Sequence, residues 1–171
     1  MKNTIAGNIE VLEQVSRFIS ALDDAEYSHV SARGGSSIGK HVRHILDHYS
    51  AVELGLKSGM VLYDARNRGA LIESKRRVAL EAFEKQIAWL RANSEQANYP
   101  MRLRTETSVS VQQQVDVDTC LLRELVYLTN HTVHHLAYMR LLALQQGVQT
   151  DAGIGLAPAT ASYLRSIKAA G

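Results

Sequence analysis

The sequence predicts an all-α protein, a bundle of helices folded as one domain over residues 1–171. Three observations predict it. Proline occurs only at 100 and 158, so little interrupts a helix from within. Long segments between glycine-bearing breaks carry apolar residues at the three-to-four spacing of a buried helical stripe. Finally, 46% of the 171 residues are hydrophobic, enough to fill a single core. No repeat or low-complexity tract suggests a second unit.

The first helix is expected from about Asn3 to Asp24, where Ile5, Ile9, Leu12, Val15, Ile19 and Leu22 form one stripe. "SARGGSS" breaks the chain, and Ser36 or Ser37 caps a second helix through its hydroxyl. That helix runs through "IGKHVRHILDHYSAVELGL" to near Gly59. "VLYDARNRGALI" reads as a loop, and "ESKRRVALEAFEKQIAWLRANSE" as a third helix with Ala79, Phe83, Ile87 and Leu90 on one face. From Pro100 to Val117 apolar and polar residues alternate at period two, which predicts a short hairpin or extended crossover. The fourth helix starts with Asp118 or Thr119 as its cap and runs to Gly147, a residue suited to the position just past a helix end. A short terminal helix over about 159–169 follows Pro158.

Charge and cysteine usage exclude several function classes. The 19 basic and 17 acidic side chains leave a net charge of +2, and the densest basic run is "KRR" at 75–77, so a nucleic-acid partner is not expected. Cys120 is the single cysteine and has no internal partner. "MKNTIAGNIEVLEQ" lacks the apolar core of a signal peptide, and no apolar run approaches the roughly 20 residues of a membrane span. A cytoplasmic location without membrane contact is the expectation.

The chemistry-bearing stretch is "NHTVHHLAYMR", residues 130–140. His131 and His135 are one helical turn apart, about 40° around the axis, so both imidazoles can reach one ion, while His134 points about 100° from His135. One such pair is a weak signal on its own. The second helix strengthens it, because "KHVRHILDHYS" places His41, His44 and His48 within one arc, and any of them can supply a third imidazole. Three neutral nitrogens from two helices suit zinc, nickel or iron and leave positions open. Ser37, Ala51 and Gly55 lie within about 20° of His44, small residues that can leave space for a pocket. Glu124 and Tyr138 share the face of His131; the first can orient an imidazole or move a proton, the second can donate to a substrate. Arg66 and Arg68 in "YDARNRG" are candidate anion ligands, although surface arginines are more often only solvated, and Cys120 fits a buried small residue better than a nucleophile.

With "SSIGKHVRHILDHY" and "LTNHTVHHLAYMR" in place, the chain resembles the DinB-like superfamily of metal-dependent proteins over nearly its whole length. The resemblance implies a four-helix bundle, with the extended crossover and short C-terminal helix added. It also implies a metal held by one histidine of the second helix and a His-x-x-x-His pair of a later one. "HILD" then selects His44 and leaves His41 and His48 as neighbours, and the pair becomes His131 and His135 with His134 flanking. "VLYDARNRG" and "GIGLAPATASYL" resemble segments of a subgroup. Similar proteins include thiol-dependent transferases and isomerases that use low-molecular-weight thiols.

Two functions follow as expectations. The first is a metal-dependent enzyme, a hydrolase or thiol-dependent transferase acting on a small molecule. His44, His131 and His135 would hold a divalent zinc, nickel or iron ion that activates water or a thiol; Glu124 or His48 would manage protons, and Arg66 would hold a carboxylate. The second is a non-catalytic metal-binding or self-associating helical module. A homodimer is expected chiefly from the resemblance, with the apolar content of the first and fourth helices in support.

Overall fold

The computed structural model of the chain describes residues 1–30 and 35–170. Most of the break read in "SARGGSS" lies outside the described residues. Helix α1 spans Lys2–Ser20 and buries Ile5, Leu12, Val15 and Ile19 along the expected stripe. It stops short of Asp24 for a local reason. Asp23 accepts from the Glu26 backbone N–H at 2.8 Å while the Glu26 carboxylate accepts from the Asp23 N–H at 2.8 Å, a reciprocal cap that starts the separate short helix α2, Asp24–Ser28.

Helix α3, Ile38–Ser58, begins at Ser37, whose hydroxyl accepts from the Lys40 N–H at 3.2 Å. It ends at Gly59, which takes the left-handed conformation at φ 77° that closes a helix without a Cβ penalty. Strand β1, Met60–Leu62, follows directly, where a loop was expected. A single 3-10 turn at Leu71–Glu73 precedes helix α4, Arg76–Ala92, which buries Ala79, Phe83, Ile87 and Leu90.

The extended segment is a hairpin of β2, Pro100–Glu106, and β3, Gln114–Cys120, paired antiparallel with Leu103 opposite Val117. β1 pairs parallel with β2, giving the order β1-β2-β3. The fold is therefore mostly helical with a small sheet, rather than helices alone. On β2 the alternation has a physical sense: Met101 and Leu103 enter the core, while Arg104 faces outward and grips Asp116 at 2.7 and 2.8 Å. The hairpin also moves the start of the next helix. Asp118 and Thr119 pair with β2, so α5, Leu121–Gln145, begins after Cys120. Gly147 has φ 82°, as the reading of a glycine just past the helix end requires. Helix α6, Pro158–Ala170, closes the described chain.

α3 packs on α5, and α1 packs on both α4 and α5. Tyr27, Tyr49 and Phe83 are fully buried, and each such side chain contributes about 1.5–3 kcal/mol through removal from water. One polar residue links three helices. Asn8 of α1 donates to the Leu125 carbonyl of α5 at 3.0 Å and accepts from the Tyr49 hydroxyl of α3 at 2.7 Å.

A second set of contacts holds the segment after β1 over α3. Gly39 lies so close to the 3-10 turn that a Cβ there would stand 2.0 Å from the Glu73 carbonyl oxygen, so only glycine admits the approach. The Tyr27 hydroxyl donates to the Ile72 carbonyl at 2.7 Å, and Arg43 bridges Asp47 at 2.8 Å and Glu73 at 2.9 Å. Tyr63 and Arg66, carried by the intervening segment, are thereby fixed beside the histidines of α3.

Candidate metal centre

In the contact between α3 and α5, successive histidines form rungs running in opposite directions along the two helices. His41 meets His135, His44 meets both His135 and His131, and His48 meets His131. The i, i+4 spacing of each helix brings its histidines to the shared groove. One ligand nitrogen from each of His44, His48 and His131 lies within 4.8 Å of the others. The closest approach is His44 Nε2 to His131 Nε2, 3.0 Å. His135 stands against the same pair, its ring centroid 4.5 Å from His44 and 4.4 Å from His131.

The rings differ in attitude. His44, His131 and His135 are mutually steep, at interplanar angles of 63°, 79° and 73°. His48 is equally steep to His44, at 72°, but lies face-on between His131, at 25°, and Tyr63, at 17°, with Tyr127 stacked on the far side of His131. His48 is buried, and the approach of its Nδ1 to the His44 carbonyl at 3.0 Å places its proton there and leaves Nε2 as a lone pair.

Burial sets the protonation of the cluster. It is the largest cause holding all five imidazoles below their ordinary value of 6.5, reinforced by neighbouring positive charge: His41 and His48 at about 4, His131 and His135 at about 3, His44 at about 2. All five are neutral near pH 7 and offer lone pairs to a cation. A pH dependence follows. The folded values lie below the ordinary one, so an unfolded chain binds more protons as pH falls; the stability is whole above about pH 6.5 and is lost progressively toward pH 4 and below. Chelator-treated protein should accordingly melt at lower temperature at pH 4.5 than at pH 7. A melting temperature flat across that window would mean that the histidines titrate as exposed groups.

The structure distributes the other expected site residues unevenly. Arg66, half-buried, donates to the Tyr63 carbonyl at 2.8 Å and reaches His44 Nδ1 with a second guanidinium N–H. Arg68 is exposed. Tyr138 lies against His41, ring centroids 4.8 Å apart, and His134 is exposed beside His135. Glu124 is completely buried, and among the described residues it hydrogen-bonds to no histidine. Its carboxylate accepts from the hydroxyls of Tyr63 and Thr119 and from the Arg123 guanidinium at 2.8 Å. The space expected beside Gly55 is filled, because a Cβ there would meet Val61 of β1 at 2.7 Å. Ala51 does border a cavity of about 560 Å³, shared with Asp47, Ser50, Leu54 and Arg66.

Sequence reasoning missed Tyr63, Tyr127 and Thr119, which wall the cluster or anchor Glu124. Tyr63 follows a three-residue strand too short to show an alternation, and the place of Thr119 just before an apolar run is that of a helix cap.

A family model described as the DinB superfamily matches residues 9–139. FK506-binding protein 5 of Rhizopus delemar is 28% identical to the chain over 104 residues, which cover 60% of this chain and 27% of that protein. The chain thus spans about a quarter of the length of that curated relative. No solved structure matches it.

Proposed function

The chain belongs to the DinB superfamily, and on that premise we propose that it is a metal-dependent enzyme whose divalent ion is held by His44, His131 and His135. The observation that carries this reading is the meeting of neutral imidazoles from α3 and α5: the ligand nitrogens of His44, His48 and His131 lie within 4.8 Å of one another, and the His135 ring stands 4.5 Å from His44 and 4.4 Å from His131. A set of nitrogen donors without a carboxylate suits zinc, nickel or iron. The steep mutual angles of the three rings favour them as ligands, and the face-on stacking of His48 favours it as a wall whose Nε2 remains within reach. A divalent ion held by these residues would supply Lewis acidity, the property that lowers the pKa of water or a thiol toward neutrality.

The protein's own groups do the rest. His48 is neutral at pH 7 and can take up and release a proton at Nε2. Arg66 is a donor at every accessible pH, so its contact makes His44 Nδ1 an acceptor and puts the His44 proton on Nε2. Metal ligation through Nε2 requires the opposite tautomer. The Arg66–His44 contact and ligation are therefore alternatives, and an Arg66 turned away from His44 is free to pair with a carboxylate of a substrate beside the 560 Å³ cavity.

The test is a screen of untagged protein, metal-loaded and chelator-treated, against ester and amide hydrolysis and against thiol-plus-electrophile pairs. Turnover that disappears on chelation and returns with Zn²⁺, Ni²⁺ or Fe²⁺ supports the enzyme. Binding without turnover leaves the non-catalytic module, whose contact surface would be the exposed Tyr163, Leu164 and Ile167 of α6.

A further inference from the structure

His41 has no task in the function proposed above, yet it is placed unlike an idle surface residue. It sits one turn before His44 on α3, half-buried, with its Nδ1 2.9 Å from Nδ1 of His135. Its other nitrogen, Nε2, is buried without a hydrogen-bond partner among the described residues. The Tyr138 ring, 4.8 Å away, closes the outer side.

Two imidazole nitrogens at 2.9 Å share one proton. Two protons there would repel, and none would leave two lone pairs face to face. If His135 is the donor, its Nε2 is a bare lone pair; if His41 is the donor, His135 Nε2 carries the proton and cannot bind a cation. Metal-ligating histidines are held in the first state by an acceptor for their other N–H. Among the described residues the His41 ring is the one side-chain hydrogen-bond partner of His135.

We propose that His41 is the positioning residue of the metal centre: it accepts the Nδ1–H of His135, fixing the tautomer that leaves His135 Nε2 a bare lone pair on a ring standing beside His44 and His131. The inference rests on the metal-centre reading and adds to it a residue outside the ligand set. The unpartnered Nε2 supports a role other than stability, because a polar atom buried without a partner is a cost that an apolar side chain of similar size would remove.

The experiment compares wild type, His41→Leu and His41→Asn as untagged full-length chains. Zn²⁺ affinity is read by chelator competition, Co²⁺ absorption reports the ligand field, and melting is followed in chelator. His41→Leu should weaken Zn²⁺ binding about ten- to a hundredfold and alter the Co²⁺ spectrum, while its melting temperature in chelator stays level or rises. His41→Asn, whose side-chain oxygen can stand near the former Nδ1, should recover most of the affinity.

Unchanged Zn²⁺ affinity in His41→Leu overturns the inference while leaving the metal centre intact. So does a His41→Leu chain that fails to fold or melts lower in chelator, the mark of a packing residue, and so does a His41→Asn chain no better than His41→Leu. Loss of a second equivalent of metal would make His41 a direct ligand of another ion and would equally overturn it. A wild-type chain that takes up no Zn²⁺ overturns the metal-centre reading as a whole.

Discussion

His44→Ala should lower the affinity of the untagged chain for Zn²⁺ on the order of a thousandfold, and protein purified without chelator should lose its ion by elemental analysis. The size of the effect comes from the position of His44. Its ring is within 4.3–4.8 Å of His48, His131 and His135, and its Nε2 makes the 3.0 Å approach to His131. Without His44 the closest nitrogen approach is lost, and the remaining imidazoles His48, His131 and His135 keep only the His48–His131 and His131–His135 contacts. His44 is half-buried, so a smaller side chain there does not empty the core.

Two companion variants identify the third ligand. His135→Ala should approach the His44→Ala loss, whereas His48→Ala should lose much less affinity, because its ring is stacked face-on against His131 while that of His135 stands steep to it. The reverse order would move the ion to the His44, His48 and His131 set, whose nitrogens lie within 4.8 Å. His44→Ala protein that binds Zn²⁺ within tenfold of wild type would remove the proposed centre.

Local periodicity made the helices legible in the sequence. The stripe Ala79, Phe83, Ile87 and Leu90 and the glycines at 59 and 147 each act within a few residues, so their effects can be read along the chain. That histidines of two helices gather was legible for the same reason, since i, i+4 spacing puts His131 and His135 on one face. The resemblance made His48 a neighbour, but it is His48 whose nitrogen lies within 4.8 Å of those of His44 and His131. Contacts between distant segments were not legible. Nothing near "VLYDARNRG" indicates that Val61 pairs with Leu103, or that Tyr63 stacks on His48 and donates to Glu124. The α1 boundary was a different kind of miss. The Asp23 and Glu26 spacing of a reciprocal cap was in the sequence, but the apolar stripe continuing to Leu22 masked it.

Glu124→Gln should destabilise the fold by about 2–4 kcal/mol, a fall in melting temperature of roughly 5–15 °C for a chain of this size, while Zn²⁺ stays bound. The carboxylate is fully buried and takes donors from three directions: Tyr63 after β1, Thr119 at the end of β3, and Arg123 beside it on α5. It also lies in the first turn of α5, where negative charge is favoured by the helix dipole. An amide fills the same volume but presents an NH₂ to a place built for acceptors, so one hydroxyl loses its partner and Arg123 loses its counter-ion. The imidazoles feel this at one remove, through the Tyr63 ring stacked on His48 and through Arg123 over the Tyr127 ring stacked on His131. Melting curves with chelator, Zn²⁺ competition and turnover, measured on one preparation, separate the roles open to this residue. A stabilising anchor shows the melting loss with affinity kept within about tenfold, whereas a support of the metal ligands would lose about ten- to a hundredfold in affinity. A proton carrier would lose turnover with stability and metal both unchanged, and that outcome would move the proton-handling role from His48 to Glu124.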